Sequence, residues 1–233
     1  MKGEQWADRI VELLNKMGWE YRDISLYQEA LTHSSYAHEQ NGELRHNERL
    51  EYLGDAVLEL VVSDYLYRNY PDYSEGKLTK FRSDLVCKDA LVQIAVKYDL
   101  GTYLRLGKGE ASGGGHTRPS LLADAVEALI GALYLDVGFD RCYNLVMELL
   151  KIGVKALEEE ELRRDYKTLL QEHVQSYYGV TPMYRMRGES GPDHKKVFHS
   201  EVLLNGEVMG VGSGKNKKEA QQDAARKAWE KLS

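Results

Sequence analysis

His46-Asn-Glu-Arg-Leu-Glu-Tyr-Leu-Gly-Asp-Ala-Val-Leu-Glu-Leu60 is the stretch from which the rest of the chain can be read. A helix turns about 100° per residue, which places Glu48, Glu51, Asp55 and Glu59 on one narrow face. Leu50, Leu53, Val57, Leu60 and Val61 fall on the opposite face and are expected to face the core. No Lys or Arg is interleaved at the spacings that would pair the acids. Like charges three and four apart each cost about 0.2–0.5 kcal/mol. A helix that keeps several such pairs points to a cation supplied from elsewhere. The alternative is an ordinary amphipathic helix with a solvated acidic face.

Ser120-Leu-Leu-Ala-Asp-Ala-Val-Glu-Ala-Leu-Ile-Gly-Ala-Leu-Tyr-Leu135 shifts that balance. It is apolar on every side of a helix and should be buried. Its charges are Asp124 and Glu127, at i and i+3 on one face, with Ala128 and Gly131 nearby to admit a second helix. A buried carboxylate must be neutralised, paired or bound to metal. The helix contains no base, so the acids call for a metal, or for distant Arg or Lys partners. If the two helices pack face to face, Glu51, Asp55, Asp124 and Glu127 converge. Such an oxygen set suits Mg²⁺, which usually keeps several waters.

The chain has 233 residues, 42% hydrophobic and 29% charged, as expected of a soluble globular protein of one large or two ordinary domains. The first residues, with Lys2, Glu4, Asp8, Arg9, Glu12 and Lys16, contain no apolar core of a signal peptide. No stretch is apolar and long enough to span a bilayer. Cys87 and Cys142 form no CxxC pair or disulfide framework and read as thiols of a reducing, cytoplasmic setting. The net charge of −6 is uneven. From Asp165 to Ser233 there are 11 basic and 9 acidic residues, net +2, which leaves −8 on the remainder. The asymmetry hints at nucleic-acid contact in the tail.

Helical spacing runs through Trp6, Ile10, Leu13, Leu14 and Met17, with Gly18 as the stop. It continues over Tyr27 to Leu31, Glu48 to Tyr67, Lys77 to Val86, Asp89 to Val96, Leu121 to Leu135 and Asp140 to Leu157. Asn69 to Gly76 reads as a loop. Gly107 to Pro119, with three glycines at 113–115, reads as a long flexible connection; its glycines do not have P-loop spacing. Residues 1–157 thus form an all-helical domain. The charged run 158–164 is the expected linker. Residues 165–233 change to an α-β-β-β-α pattern: a helix over Tyr166 to Tyr178 ending at Gly179, strands over Pro182 to Arg187, Val197 to Leu204 and Glu207 to Val211, and a last helix. Asn205-Gly206 is a hairpin turn. The last helix repeats Ala220, Ala224, Ala228 and Leu232 at fourfold spacing, beside Ala225 and Trp229.

Lys217 and Lys218 fall in the first turn of that last helix, where the helix dipole disfavours cations by about 0.3–1 kcal/mol. Asn216 can cap the turn and Glu219 can close a capping box. The lysines do not help the fold, but with the helix N–H groups they make a phosphate site. The alternative is a solvated lysine run. The loop at 191–196 brings His194, Lys195 and Lys196 as a second polar point. The first tail helix offers Thr168, Gln171 and Glu172 for ribose hydroxyls. Three separated points suit an A-form duplex. No aromatic platform for single strands and no zinc spacing is evident.

Both halves resemble the ribonuclease III family: His46 to Asp55 looks like its signature, Ala30-Leu-Thr-His-Ser-Ser-Tyr36 and Ser120 to Ala128 match further blocks, and residues 165–232 resemble its double-stranded-RNA-binding domain. The resemblance implies an all-α endonuclease domain followed by a small α+β RNA-binding domain. It implies that Glu51, Asp55, Asp124 and Glu127 hold metal, Mg²⁺ with Mn²⁺ as a substitute, and that Glu48, Asp55, Glu75 and Glu127 serve cleavage. Glu48 also matches a position near a dimer interface. Periodicity alone would not select Glu75, and Glu59 matches no family position. The implied activity is cleavage of both strands of duplex RNA by a homodimer, in rRNA-precursor and mRNA processing. Departures are small: Tyr52 stands where Phe is usual, Asn216 where Ser is usual, and Ser200 where an apolar strand residue is common. Two rival readings are a duplex-binding protein that does not cut and a helical scaffold. The complete acidic set argues against the first, and Asp124 with Glu127 in an apolar helix against the second.

Overall fold

The computed structural model describes residues 3–41, 44–163, 165–192 and 195–232. They divide into two compact units, Met1–Leu157 and Glu158–Ser233. No helix among them is long and apolar enough to cross a membrane.

The first unit is helical: α1 (Gly3–Met17), α2 (Ile24–Ala30), α3 (Ser34–Glu39), α4 (Glu48–Asn69), α5 (Glu75–Val86), α6 (Lys88–Lys97), α7 (Lys108–Ser112), α8 (Pro119–Val137) and α9 (Phe139–Arg163). Capping chemistry sets several boundaries. Asp23 accepts from Ser25 N–H at the start of α2, and Ser74 from Lys77 N–H at the start of α5. Pro119 opens α8 and Gly138 follows it.

α8 is the buried axis of this unit, and α4 packs along it. The contact is made by two glycines. A Cβ on Gly54 would overlap the carbonyl oxygen of Glu127, and one on Gly131 the carbonyl oxygen of Leu50. Only Gly lets the backbones approach so closely. At the end of α8, buried Asp136 accepts the N–H groups of Arg22 and Asp23 and the hydroxyl of Tyr27, at 2.8–3.0 Å. That carboxylate fixes the entry to α2.

Two expectations change here. Leu60 is 55% exposed instead of core-facing, and Leu53 is half-buried; the core side of α4 is Leu50, Val57, Leu58, Val61, Val62 and Leu66. Gly107 to Pro119 is no flexible connection. It folds into α7 and a 3₁₀ turn over Gly115–Thr117. Gly107 and Gly115 are buried, Glu39 Oε1 accepts Lys108 N–H at 2.7 Å, and His116 Nδ1 lies 2.7 Å from Gly101 O. Gly107 and Gly115 serve close packing, and Gly114 at positive φ serves the turn.

In the second unit α10 (Tyr166–Tyr178) is capped by Asp165 and ends at Gly179 in the left-handed region. β1 (Met183–Ser190), β2 (Val197–Leu204) and β3 (Glu207–Gly214) form an antiparallel sheet in the order β1-β2-β3, with a bulge near Gly188. Asn205 and Gly206, both at positive φ, make the expected hairpin turn. β1 and β3 both run three residues beyond the expected strands. α11 (Lys217–Leu232) lays Ala220, Ala224 and Ala228 against Gly210, Gly212 and Gly214 of β3. The fourfold alanine spacing is therefore the seam between helix and sheet. Ser200 is fully buried in β2, and its hydroxyl donates to Arg185 O at 3.3 Å. The charged run 158–164 is helical, as the end of α9, as far as Arg163.

Candidate active site and nucleic-acid interface

The close crossing of α4 and α8 brings together side chains far apart in sequence. Glu51 stands one turn before Gly54, and Glu127 one turn before Gly131. Ligand oxygens of Glu51, Asp124 and Glu127 all lie within 4.8 Å of one another. The three are half-buried, so α8, apolar elsewhere but for Asp136 at its end, opens to solvent at this face. Asp55 lies at the rim, exposed. No described Lys or Arg forms an ion pair with any of the four.

The electrostatics show what this arrangement requires. Burial pushes the Glu127 carboxyl up to about 7, reinforced by Asp55, Asp124 and Glu51. Glu51 is also raised, by burial and then by Asp124, Glu48 and Asp55. Asp124 is raised by burial, with His33 and Lys88 pulling it back. These acids hold protons tightly because they are partly dry and crowd one another. A divalent metal with oxygen preference fits: three convergent carboxylates, partly dry, with solvent on one side for bound waters. Glu51, Asp124 and Glu127 could hold it directly, with Asp55 beside them.

The remaining expected acids lie elsewhere. Glu48, the first residue of α4, is exposed, and its Oε2 is 3.8 Å from His46 Nδ1. It reaches the trio only through its charge on Glu51. Glu75 opens α5 and accepts the Thr79 hydroxyl at 3.0 Å. It lines a groove of about 460 Å³ with Leu60, Tyr67 and Arg82, and its charge is not among those that raise Glu51 or Glu127. Sequence reasoning did not single out His33 or Lys88. Their influence on Asp124 comes from tertiary packing of α3 and α6, which no periodicity reports.

In the second unit Thr168, Gln171 and Glu172 are exposed along α10. The Thr168 hydroxyl donates to Asp165 at 2.9 Å. Lys217 and Lys218 are exposed in the first turn of α11 and form no ion pair among the described residues. Asn216 caps the helix as expected, its Oδ1 accepting Glu219 N–H at 2.9 Å, but Glu219 Oε2 reaches past the cap to the N–H of Lys215, also at 2.9 Å, instead of closing the box on Asn216 N–H. Lys195 is exposed, while Lys196 pairs with Glu189 at 2.8 Å. His194 lies outside the described residues.

A helical unit with a carboxylate trio that could bind metal, followed by an α-β-β-β-α unit with bare lysines at a helix start, has the form of a nuclease joined to a duplex-binding module. Comparison with known proteins gives the family. Residues 23–152 match the ribonuclease-III-like family model and residues 166–232 the double-stranded RNA binding motif. Ribonuclease 3 of Natranaerobius thermophilus is 55% identical over 231 residues, covering 99% of both chains. Ribonuclease 3 of Pelotomaculum thermopropionicum is 50% identical over 223 residues, covering 95% of this chain and 92% of its own. A solved nuclease domain of ribonuclease III from Campylobacter jejuni, described for flexibility in a region involved in dimer formation, is 38% identical with a TM-score of 0.56; the match covers 60% of this chain and 94% of that one. The chain belongs to the ribonuclease III family and is an endoribonuclease specific for double-stranded RNA.

Proposed function

We propose that this chain hydrolyses both strands of duplex RNA at the α4–α8 cluster with Mg²⁺, Mn²⁺ substituting, and leaves 5′-phosphate and 3′-hydroxyl ends with a short 3′ overhang. The observation that carries the reading is the convergence of Glu51, Asp124 and Glu127 without a basic partner. In this reading Glu51, Asp55, Asp124 and Glu127 hold the metal, and no carboxylate needs to act as general base. Bound Mg²⁺ would supply Lewis acidity and a water of lowered pKa. The chain's own groups position: the Gly54–Gly131 crossing holds the carboxylates in register, and the apolar body of α8 keeps their inner side dry. Glu48 and Glu75 belong to substrate processing around the site.

The tail grips the duplex: Lys217, Lys218 and Lys195 on phosphates, Thr168, Gln171 and Glu172 on ribose hydroxyls. His194 and Lys196 belong to the same loop contact, Lys196 after release from Glu189. Residues 165–233 are the binding domain, 1–157 the nuclease and 158–164 the connection.

The working form is a homodimer through the nuclease domain. An apolar row along α4, with Tyr52 83%, Leu60 55% and Tyr67 76% exposed, supports this, and the Campylobacter jejuni nuclease domain is described as dimer-forming. The setting is the cytoplasm and the substrates are rRNA precursors and mRNA. The test is a long RNA duplex incubated with and without Mg²⁺, with products sized and ends mapped. Staggered double-strand cuts bearing 5′-phosphates are expected only with metal. Cleavage in EDTA, or single-strand products alone, would overturn the proposal.

A further inference from the structure

The seam between α10 and α11 holds a cation that no expected contact uses. Lys167, in the first turn of α10, is half-buried. Its ammonium donates to Gln221 Oε1 at 2.9 Å and lies 4.7 Å from the centre of the Tyr184 ring, within cation–π range. Its backbone N–H donates to Gln222 Oε1 at 3.2 Å. The side chain is therefore held between α11 and β1.

No carboxylate offsets its charge: among the described residues Lys167 forms no ion pair. The acids of the seam serve other partners. Asp165 accepts the N–H and hydroxyl of Thr168 and the amide of Gln222. Glu219 accepts from Lys215 N–H and the Asn216 amide, and Asp223 from Ser213 N–H, Arg226 and Lys227. A partly buried charge calls for a counter-charge, and the described residues supply none.

The neighbours of this ammonium say where the counter-charge comes from. Gln221 follows Lys218 by three residues and Lys217 by four, so its side chain stands one helical turn from both on the same face, about 5–6 Å away between Cβ atoms. Thr168, a proposed ribose contact, is the next residue of α10. Lys167 thus joins the lysines of α11 to the contact row of α10. A rigid, uncompensated cation at that point has the form of a preorganised phosphate contact.

We propose that the Lys167 ammonium contacts a backbone phosphate of the RNA duplex, beside Lys217 and Lys218, with Gln221 and Tyr184 holding it in place. This rests on the reading of the tail as the unit that grips the duplex.

Lys167→Met tests it in the full chain, with duplex binding titrated in EDTA at several salt concentrations. Met keeps an unbranched apolar stem and loses the charge. Binding should weaken several-fold for all sequences alike, and the salt slope should drop by about 1. Lys167→Arg keeps the charge and should keep the wild-type slope. A lysine that merely ties the two helices together would weaken binding with the slope unchanged. That result, or wild-type affinity in Lys167→Met, would overturn the proposal. Should Lys167→Met lower Tm, Gln221→Glu decides. It gives the ammonium a carboxylate in place of the amide, so duplex binding should weaken while Tm holds, and wild-type affinity would overturn the idea. If Lys217→Ala with Lys218→Ala leaves duplex binding unchanged, the reading of the tail itself falls, and the proposal falls with it.

Discussion

Glu127 is the most strongly perturbed carboxyl among the described residues of the nuclease unit. Its carboxyl sits at about 7 instead of 4.5 because of burial and three acidic neighbours. A carboxyl raised in the folded state contributes stability that is fully present below the unfolded value, near 4.5, and is lost as pH rises through about 7. Metal-free protein should therefore lose stability over that window. Glu127→Gln should remove the loss, so without metal it should melt above wild type at pH 8, by on the order of a degree or two after solvent screening. The gap should close near pH 4.5 or below. Thermal melts across pH in EDTA check this; a Gln variant less stable at pH 8 would contradict it. The same carboxyl should make metal affinity rise from pH 5.5 to pH 7.5, since the proton competes for the ligand.

At the scale of elements, the α4–α8 crossing depends on Gly54 and Gly131. Gly54→Ala should force the helices apart, with a cost of about 1–3 kcal/mol or more and loss of metal binding even where the protein still folds. Chemical denaturation and metal titration measure the two effects. A variant with wild-type stability would show that the crossing relaxes. In the tail, Lys217→Ala with Lys218→Ala should weaken duplex binding for all sequences alike, and the salt slope should drop by about 1 per lost phosphate contact. Binding titrations at several salt concentrations measure this, and an unchanged slope would contradict phosphate contact. Much of this scale was legible in the sequence. The acids of α4 and α8 stood out because an unpaired carboxylate in an apolar helix has few physical explanations. The alanine repeat of α11 and the Asn205-Gly206 turn were equally readable, because their chemistry is local. Leu60 was misplaced because helical periodicity cannot tell a core face from an apolar face left open at the surface. Gly107 to Pro119 was misread because glycine marks both looseness and tight packing, and only tertiary contacts such as Glu39 to Lys108 decide which. Asp136, His33 and Lys88 were missed for the same reason: each acts across long sequence separations.

At the scale of the whole molecule, the described residues of each chain hold one such cluster, so the two staggered cuts proposed above would require two chains, and a two-fold dimer is the commonest way to supply them. Mixed dimers of wild-type and Glu127→Gln chains, on a duplex labelled on both strands, should nick one strand per binding event. Double cuts at the wild-type frequency would contradict one site per chain. The central claim is simpler still: the carboxylate cluster, loaded with metal, cuts the duplex that the tail holds. The most direct measurement compares wild-type and Glu127→Gln protein on one long RNA duplex in millimolar Mg²⁺, with cleavage and binding followed on the same samples. The account expects Glu127→Gln to bind as wild type does and to cut at least about 10³-fold more slowly, more than the 10²-fold of losing a single donor. Undiminished cleavage by Glu127→Gln would show that the chemistry happens elsewhere.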